Sequence, residues 1–146
     1  GYALLWPDGV IQLELRPDVP DAPETIEMVT QGCYAYEPGH IVFSYEETEM
    51  TGQEGVVTTF TVDGDVVTLT RTGRLRSQMR FEVGKPYDSL YDAGITALLT
   101  RVCARHITVL LNERGGILDL EYALEIEHTD CGTLSYHIEV RKNPAP

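Results

Sequence analysis

A pair of glutamates is the first feature of this sequence whose spacing could support catalysis. Glu47 and Glu49 are two positions apart in a predicted strand, which would place their Cα atoms about 7 Å apart on one face. Two carboxylates can divide the acid and base roles of glycoside hydrolysis. Both glutamates also belong to an acidic run over 46–49, and such a run is more often the solvated end of a strand. An enzyme that uses the Glu47 region is therefore only an alternative prediction.

The histidines and cysteines do not form a metal-binding or nucleophile motif. No histidines have HxH, HxxxH or HExxH spacing, and no cysteines form a CxxC pair. Cys103 and His106 flank a predicted turn, but no acid is indicated that would orient the histidine as a base. We therefore predict no catalytic residues, no metal and no cofactor. The residues considered are His40, His106, His128, His137, Cys33, Cys103 and Cys131.

A basic patch is the remaining candidate. Arg74, Arg76 and Arg80 share one face of a predicted strand, with Gln78 between them. Arginines bind phosphate and other anions through charge-assisted hydrogen bonds. Opposite charges on adjacent strands also stabilise a sheet, and pairing with acidic neighbours is the use that we expect.

Strands must position all of these residues, because segments rich in β-branched and aromatic residues recur about every ten positions between turn signals. The stretch 93–105 is predicted as strand because it contains β-branched residues and a glycine, with a short helix as the alternative. Asp63-Gly64 is predicted to close a two-residue hairpin, and Asp130 and Gly132 to form the last turn. The predicted strands cover 10–15, 25–36, 41–49, 56–62, 66–71, 74–81, 87–91, 95–102, 106–112, 117–127 and 133–141.

Length and strand spacing together predict the fold. A chain of 146 residues has room for one core. A long antiparallel sheet leaves exposed edges, and closure into a barrel removes them. We therefore predict an all-β fold, a single closed antiparallel β-barrel of calycin or lipocalin type with about 8 to 10 strands. The domain is predicted to span 1–142, and 143–146 a disordered tail.

The alternation of three predicted strands carries polar side chains inward. Tyr45 and Glu47 continue the apolar face of one strand, Arg71 does so on a second, and Tyr122 lies on the apolar face of a third. A buried unpaired charge costs several kcal/mol, so Glu47 and Arg71 should pair or face water near one barrel mouth. We predict these four residues as the anchoring points of a small-ligand site. The alternative is a purely structural pair at the rim.

Charge and cysteine content limit the partners and the compartment. The net charge is −12, with thirteen acids and one base in 1–65. Nucleic acid and anionic membranes need clustered Lys and Arg, so neither is predicted as a partner. Three cysteines leave at least one unpaired, which favours a reducing cytoplasm. The first residues lack a secretory signal, and the initial glycine suggests processing or a tag remnant.

Four motifs follow one another along the chain: VTQGCY at 29–34, FSYEETEMTG at 43–52, VTLTRTG at 67–73 and MRFEVG at 79–84. In their order and spacing they resemble the motifs of the YwiB-like bacterial family of unknown function. The resemblance extends over about 10–141 and implies a calycin-like, lipocalin-type barrel in a cytoplasmic bacterial protein. It implies no established activity and no accepted catalytic residues.

The first hypothesis for function is a non-enzymatic protein that binds a small, partly apolar ligand in its interior. The alternatives are a module that docks another protein or forms a homodimer, and the enzyme that uses the Glu47 region. A cavity of a few hundred Å³ would favour the first hypothesis, whereas an exposed apolar patch would favour association.

The environment of Arg71 is testable by substitution. If Glu47 is the buried partner of Arg71, Arg71→Ala should lower the free energy of unfolding by a few kcal/mol, because the Glu47 carboxylate loses its counter-charge. Urea denaturation measures this difference. A loss below about 0.5 kcal/mol would instead place the side chain at an exposed rim.

Overall fold

All of the described elements are β-strands. A computed structural model describes the backbone of residues 4–18, 26–47, 55–92 and 94–142, and the side chains of 30–47, 55–92 and 94–141. No helix in these ranges is long and apolar enough to span a bilayer. The predicted tail at 143–146 lies outside them. The strands are β1 (Leu4–Asp18), β2 (Ile26–Glu37), β3 (His40–Glu46), β4 (Val56–Asp63), β5 (Val66–Gly73), β6 (Ser77–Phe81), β7 (Pro86–Asp92), β8 (Ala97–Asn112), β9 (Gly115–Ile126) and β10 (Thr129–Lys142).

The sheet is antiparallel and has two ends. Its strand order is β6-β5-β4-β3-β2-β1-β10-β9-β8-β7, so β6 and β7 are edge strands. Over the described ranges they are joined directly only by a reciprocal backbone pair between Arg76 and Asp92, at 2.7 and 2.8 Å, and by the turn bond from Lys85 to Glu82. We call this junction the seam.

The prediction of a single closed barrel of calycin or lipocalin type is therefore wrong. No ladder of hydrogen bonds joins β6 to β7 within the described backbone, so the sheet stays open at the seam. Two local features account for this: β6 has only five residues, and β7 begins at Pro86, which has no amide hydrogen to donate. The all-β, antiparallel part of the prediction is confirmed.

The predicted β4–β5 hairpin is present, but its two-residue loop is 64–65 and not the predicted 63–64, and another predicted turn is absent. Asp63 pairs with Val66, so β4 and β5 form a two-residue hairpin whose loop begins at Gly64. β8 is one strand where two strands were predicted, because the chain accommodates an extra residue as a bulge between Ala104 and His106. The bulge lets the inward face continue past the predicted turn.

The turn between β9 and β10 lies earlier than predicted. Glu127 and His128 form it with φ angles of 49° and 66°, while a bulge in β10 occupies the region of Asp130 and Gly132. The Glu127 amide donates to the Leu99 carbonyl, and the Glu127 carboxylate accepts from the Leu99 amide, both at 2.8 Å. These bonds to β8 offset the strain of positive φ at residues with a side chain.

The core lies between two halves of the sheet that pack face to face. Phe60 of β4 stacks on Phe43 at a centroid distance of 5.1 Å and meets Tyr136 of β10 edge-on at 5.7 Å. Phe81 of β6 lies 4.7 Å from Tyr122 of β9. All five side chains are buried. Aromatic contacts thus hold one half of the sheet against the other.

Phe60 tests how strongly this packing stabilises the fold. Phe60→Ala should lower the free energy of unfolding by about 3–5 kcal/mol, because it removes a fully buried ring that contacts both halves. Urea denaturation of the variant measures the loss. The matched control is Val57→Ala on the outer face of the same strand, where the side chain is 38% exposed and the change should stay within about 0.5 kcal/mol. Equal losses in the two variants would contradict this account of the core.

Candidate functional site

Four polar side chains lie opposite one another on four adjacent strands. Tyr45 of β3 pairs with Thr58 of β4, Thr58 with Arg71 of β5, and Arg71 with Ser77 of β6. They occupy inward positions of the alternation, and each is at most 8% exposed. We call these four residues the polar row. The register of the sheet thus places an arginine in the core.

The four residues predicted for a ligand site come together around this row. Tyr45, Glu47, Arg71 and Tyr122 are 3%, 7%, 8% and 3% exposed, respectively. The other three all act electrostatically on the Arg71 guanidinium. They lie in the interior and not at a solvated rim, and their role in ligand binding stays a prediction.

The described hydrogen bonds of the two buried charges go to hydroxyl groups and not to each other. Arg71 donates from Nη2 to the Tyr136 hydroxyl at 2.9 Å, which crosses from β5 to β10. The Glu47 carboxylate accepts from the Thr58 hydroxyl at 2.6 Å. Hydrogen bonds to charged groups are about twice as strong as neutral ones, so these hydroxyls lower the cost of burying both charges.

Electrostatics keep the arginine charged and the tyrosines neutral. Burial lowers the pKa of Arg71, but Tyr136, Tyr122, Tyr45 and Glu47 raise it by more, so the net shift of its pKa is upward. Burial is the largest cause that raises the pKa of both Tyr45 and Tyr122 well above the ordinary value, with Tyr136 second. Near pH 7 the cluster therefore contains the Arg71 guanidinium and the Glu47 carboxylate among neutral tyrosine hydroxyl groups.

Two donors in the polar row have no partner. The Nε of Arg71 and the Oγ of Ser77 are buried atoms without a hydrogen bond to any described residue. These residues are direct neighbours across β5 and β6. A buried donor without a partner costs about 1–3 kcal/mol, so an acceptor placed between them would relieve both costs.

A cleft of about 820 Å³ opens at the other end of the same strands. Its walls combine three residues of β2–β4 with three residues of β8, and none of the four predicted site residues is among its lining. Lys85, bound to Glu82, and Asp65 contribute polar groups to the lining. The wall residues are Tyr36, Ile41, Val62, Ile107, Val109 and Leu111.

The wall residues of β8 were not predicted as part of a site, because the sequence pattern predicted a turn where β8 continues. Ile107, Val109 and Leu111 alternate with exposed residues, which is the usual signal of an inward strand face. The bulge before His106 inserts one extra residue and shifts the alternation by one position. Even-numbered residues therefore point inward up to Ala104, and odd-numbered residues point inward from Ile107 onward.

The other candidates from the sequence form no site within the described ranges. Arg74, Arg76 and Arg80 are exposed. No disulfide joins the three cysteines, and no group of three or more metal-ligating side chains occurs among the residues that were described. Glu49, the second carboxylate of the glycosidase alternative, lies outside those residues.

An acid-histidine cluster lies on the outer face of β9 and β10. His137 hydrogen-bonds through Nδ1 to Asp119 and through Nε2 to Glu139 at 3.3 Å. The hydrogen bond to Asp119 is the largest cause that raises the pKa of His137. The imidazole is 40% exposed, so solvent screening keeps the energy of this cluster small.

Comparisons with known proteins identify a family and a fold. The family model described as a domain of unknown function, DUF1934, matches residues 11–138. The crystal structure of the ywiB protein from Bacillus subtilis is similar with a TM-score of 0.77 and 17% identity, over 97% of this chain and 94% of that chain. No curated protein matches the chain. The predicted resemblance to YwiB-like proteins is confirmed, and at this identity the structural likeness concerns the fold.

The raised pKa of His137 predicts a pH-dependent stability. A histidine whose folded pKa exceeds its unfolded value, about 6.5, stabilises the fold fully below the unfolded value and loses this effect as the pH rises through the folded pKa. Between about pH 5.5 and pH 8.5 the wild-type free energy of unfolding should therefore fall by up to about 1 kcal/mol relative to His137→Gln. Urea denaturation across this range measures the difference. A wild-type slope in His137→Gln would refute the assignment.

Proposed function

The chain belongs to the DUF1934 family, whose function is unknown, and on that premise we propose that it is a non-enzymatic protein that binds a small, partly apolar ligand between the two halves of its sheet. The observation that carries this proposal is the cleft of about 820 Å³. Its volume falls within the roughly 300–1,000 Å³ that small-molecule sites occupy.

The walls of the cleft support an apolar ligand. Ile107, Val109 and Leu111 pack against the core yet remain only partly buried. They face the cleft from one side, and Ile41 and Val62 face it from the other. A ligand seated there would remove this apolar surface from water, which contributes about 25 cal/mol per Å².

The polar lining supports a ligand with one polar end. Lys85 and Glu82 form an ion pair, and Asp65 is exposed at the β4–β5 turn. These groups would hydrogen-bond the polar end of a ligand whose apolar body lies between the walls.

Association with another chain is an alternative function predicted from the sequence. Docking of another protein or self-association stays a prediction, and so does cytoplasmic location. Leu90 and Ile95 are exposed at 60% and 102%, but single exposed apolar residues are normal on protein surfaces. The proposal therefore rests on the cleft and not on these residues.

A fluorescent apolar probe tests the cleft. N-phenyl-1-naphthylamine should bind wild-type protein saturably, and Val109→Phe should weaken its affinity by about tenfold or more because the ring fills the space between the walls. Leu110→Phe is the matched control, since it adds the same ring at the next position of β8, where the side chain is 65% exposed. Probe titration by fluorescence, with circular dichroism to verify folding, measures both.

Probe binding by the two variants distinguishes the cleft from other surfaces. Loss of probe binding in Val109→Phe alone supports the cleft as the site. Equal affinity in the two variants, or no saturable binding by the wild type, would contradict the proposal. If the cleft is supported, native mass spectrometry of the protein purified from its host would show the natural ligand as added mass.

A further inference from the structure

Two buried hydrogen-bond donors lie away from the cleft and have no hydrogen-bond partner among the described residues. The polar row presents two unsatisfied donors, the Nε of Arg71 and the Oγ of Ser77, on directly opposed positions of β5 and β6. Arg71 and Ser77 are 8% and 7% exposed, so neither group is solvated at the surface. Neither residue contributes to the lining of the cleft.

The described hydrogen bonds of Arg71 and Glu47 do not join the two groups to each other. Glu47 is the described carboxylate that acts electrostatically on Arg71. Glu47 itself accepts a hydrogen bond from Thr58 and interacts with the Tyr45 hydroxyl. Its negative charge is therefore shared with hydroxyl groups on the β3 and β4 side of Arg71, whereas Ser77 lies on the β6 side.

From this geometry we propose that Arg71 and Ser77 form a buried site for a small oxyanion of the carboxylate class. An arginine Nε–H and a serine hydroxyl are both donors, so their complement is a group that only accepts. A carboxylate oxygen is such a group, and hydrogen bonds from a guanidinium to a carboxylate are among the strong ones in proteins. The carboxylate also supplies the negative charge that a bound water would not.

The seam gives this site its route to solvent. Ser77 is the first residue of β6 and directly follows Arg76, whose backbone forms the bridge to Asp92. Beside this bridge β6 and β7 have no ladder between them in the described backbone. Entry of a small anion between β6 and β7 would therefore break the two backbone hydrogen bonds of this bridge and no strand ladder.

The anion site does not depend on the proposed function of the cleft. The two sites share no lining residue, and they take ligands of different chemistry, an apolar body in one and a small anion in the other. In this proposal the four residues predicted from the sequence have different roles. Arg71 binds the anion directly, and Tyr45, Glu47 and Tyr122 act electrostatically on its guanidinium.

Acetate is the probe for this site. In HEPES buffer of constant ionic strength, sodium acetate should raise the midpoint of thermal unfolding of the wild type saturably, relative to sodium fluoride, because ligands that bind only the folded state stabilise it. Ser77→Ala should weaken the apparent affinity for acetate by about tenfold, since it removes one hydrogen bond to a charged group. Ser89→Ala is the matched control, because its hydroxyl contacts Thr100 on the β7–β8 pair and should leave acetate affinity unchanged.

A second measurement keeps the test independent of folding defects. Without acetate, Ser77→Ala should unfold at the same temperature as the wild type or higher, because it deletes a buried hydroxyl that lacks a partner. Arg71→Lys keeps a positive charge but lacks Nε, and should also lose the acetate response. No saturable acetate effect on the wild type, or an equal effect on wild type, Ser77→Ala and Arg71→Lys, would overturn the proposal. Binding of the naphthylamine probe by Ser77→Ala should be unchanged, which separates failure of this site from failure of the cleft.

Discussion

Side-chain packing between the two halves of the sheet is the constraint on which this structure depends. A barrel is closed by a continuous ladder of backbone hydrogen bonds, but here the described backbone joins the edge strands only at Arg76 and Asp92 and at the β6–β7 turn. The halves must therefore be held by contacts between their inner faces. Phe60 against Tyr136 and Phe81 against Tyr122 supply these contacts, with the hydrogen bond from Arg71 to Tyr136 as a polar link.

The same constraint explains where the polar groups lie. Tyr136 contacts both Phe60 and Arg71, so its ring belongs to the apolar core while its hydroxyl satisfies a buried cation. Such an amphipathic side chain lets a charge enter the interior without direct pairing. A buried charge held by hydroxyl groups is costly. Its presence in the core is therefore best explained by a use, and the proposed anion site provides one.

The two proposed sites lie at opposite ends of the aromatic packing between the two halves of the sheet. Between the halves, aromatic rings fill the centre, and near the β2–β3 and β4–β5 turns the walls separate into the cleft. At the far end of β3–β6 the interior contains the polar row. One molecule thus offers an apolar space and a cationic position, separated by a filled core.

The sequence by itself determined the strands and the direction of their side chains. A period of two places Tyr45, Arg71 and Tyr122 inward whatever the sheet does at its edges, because successive side chains in a strand point to opposite faces. The family resemblance likewise rested on local motifs, and the matching family model agrees with it.

Only the tertiary structure decided how these strands end and meet. The open seam depends on pairing between distant edges, and the bulge in β8 depends on its register with β9, neither of which leaves a clear local signal. Ser77 shows the consequence. Its sequence neighbours do not distinguish it from an ordinary strand serine, and only the register of β5 with β6 places it opposite Arg71, because cross-strand contacts are set by chain segments that the local pattern does not relate.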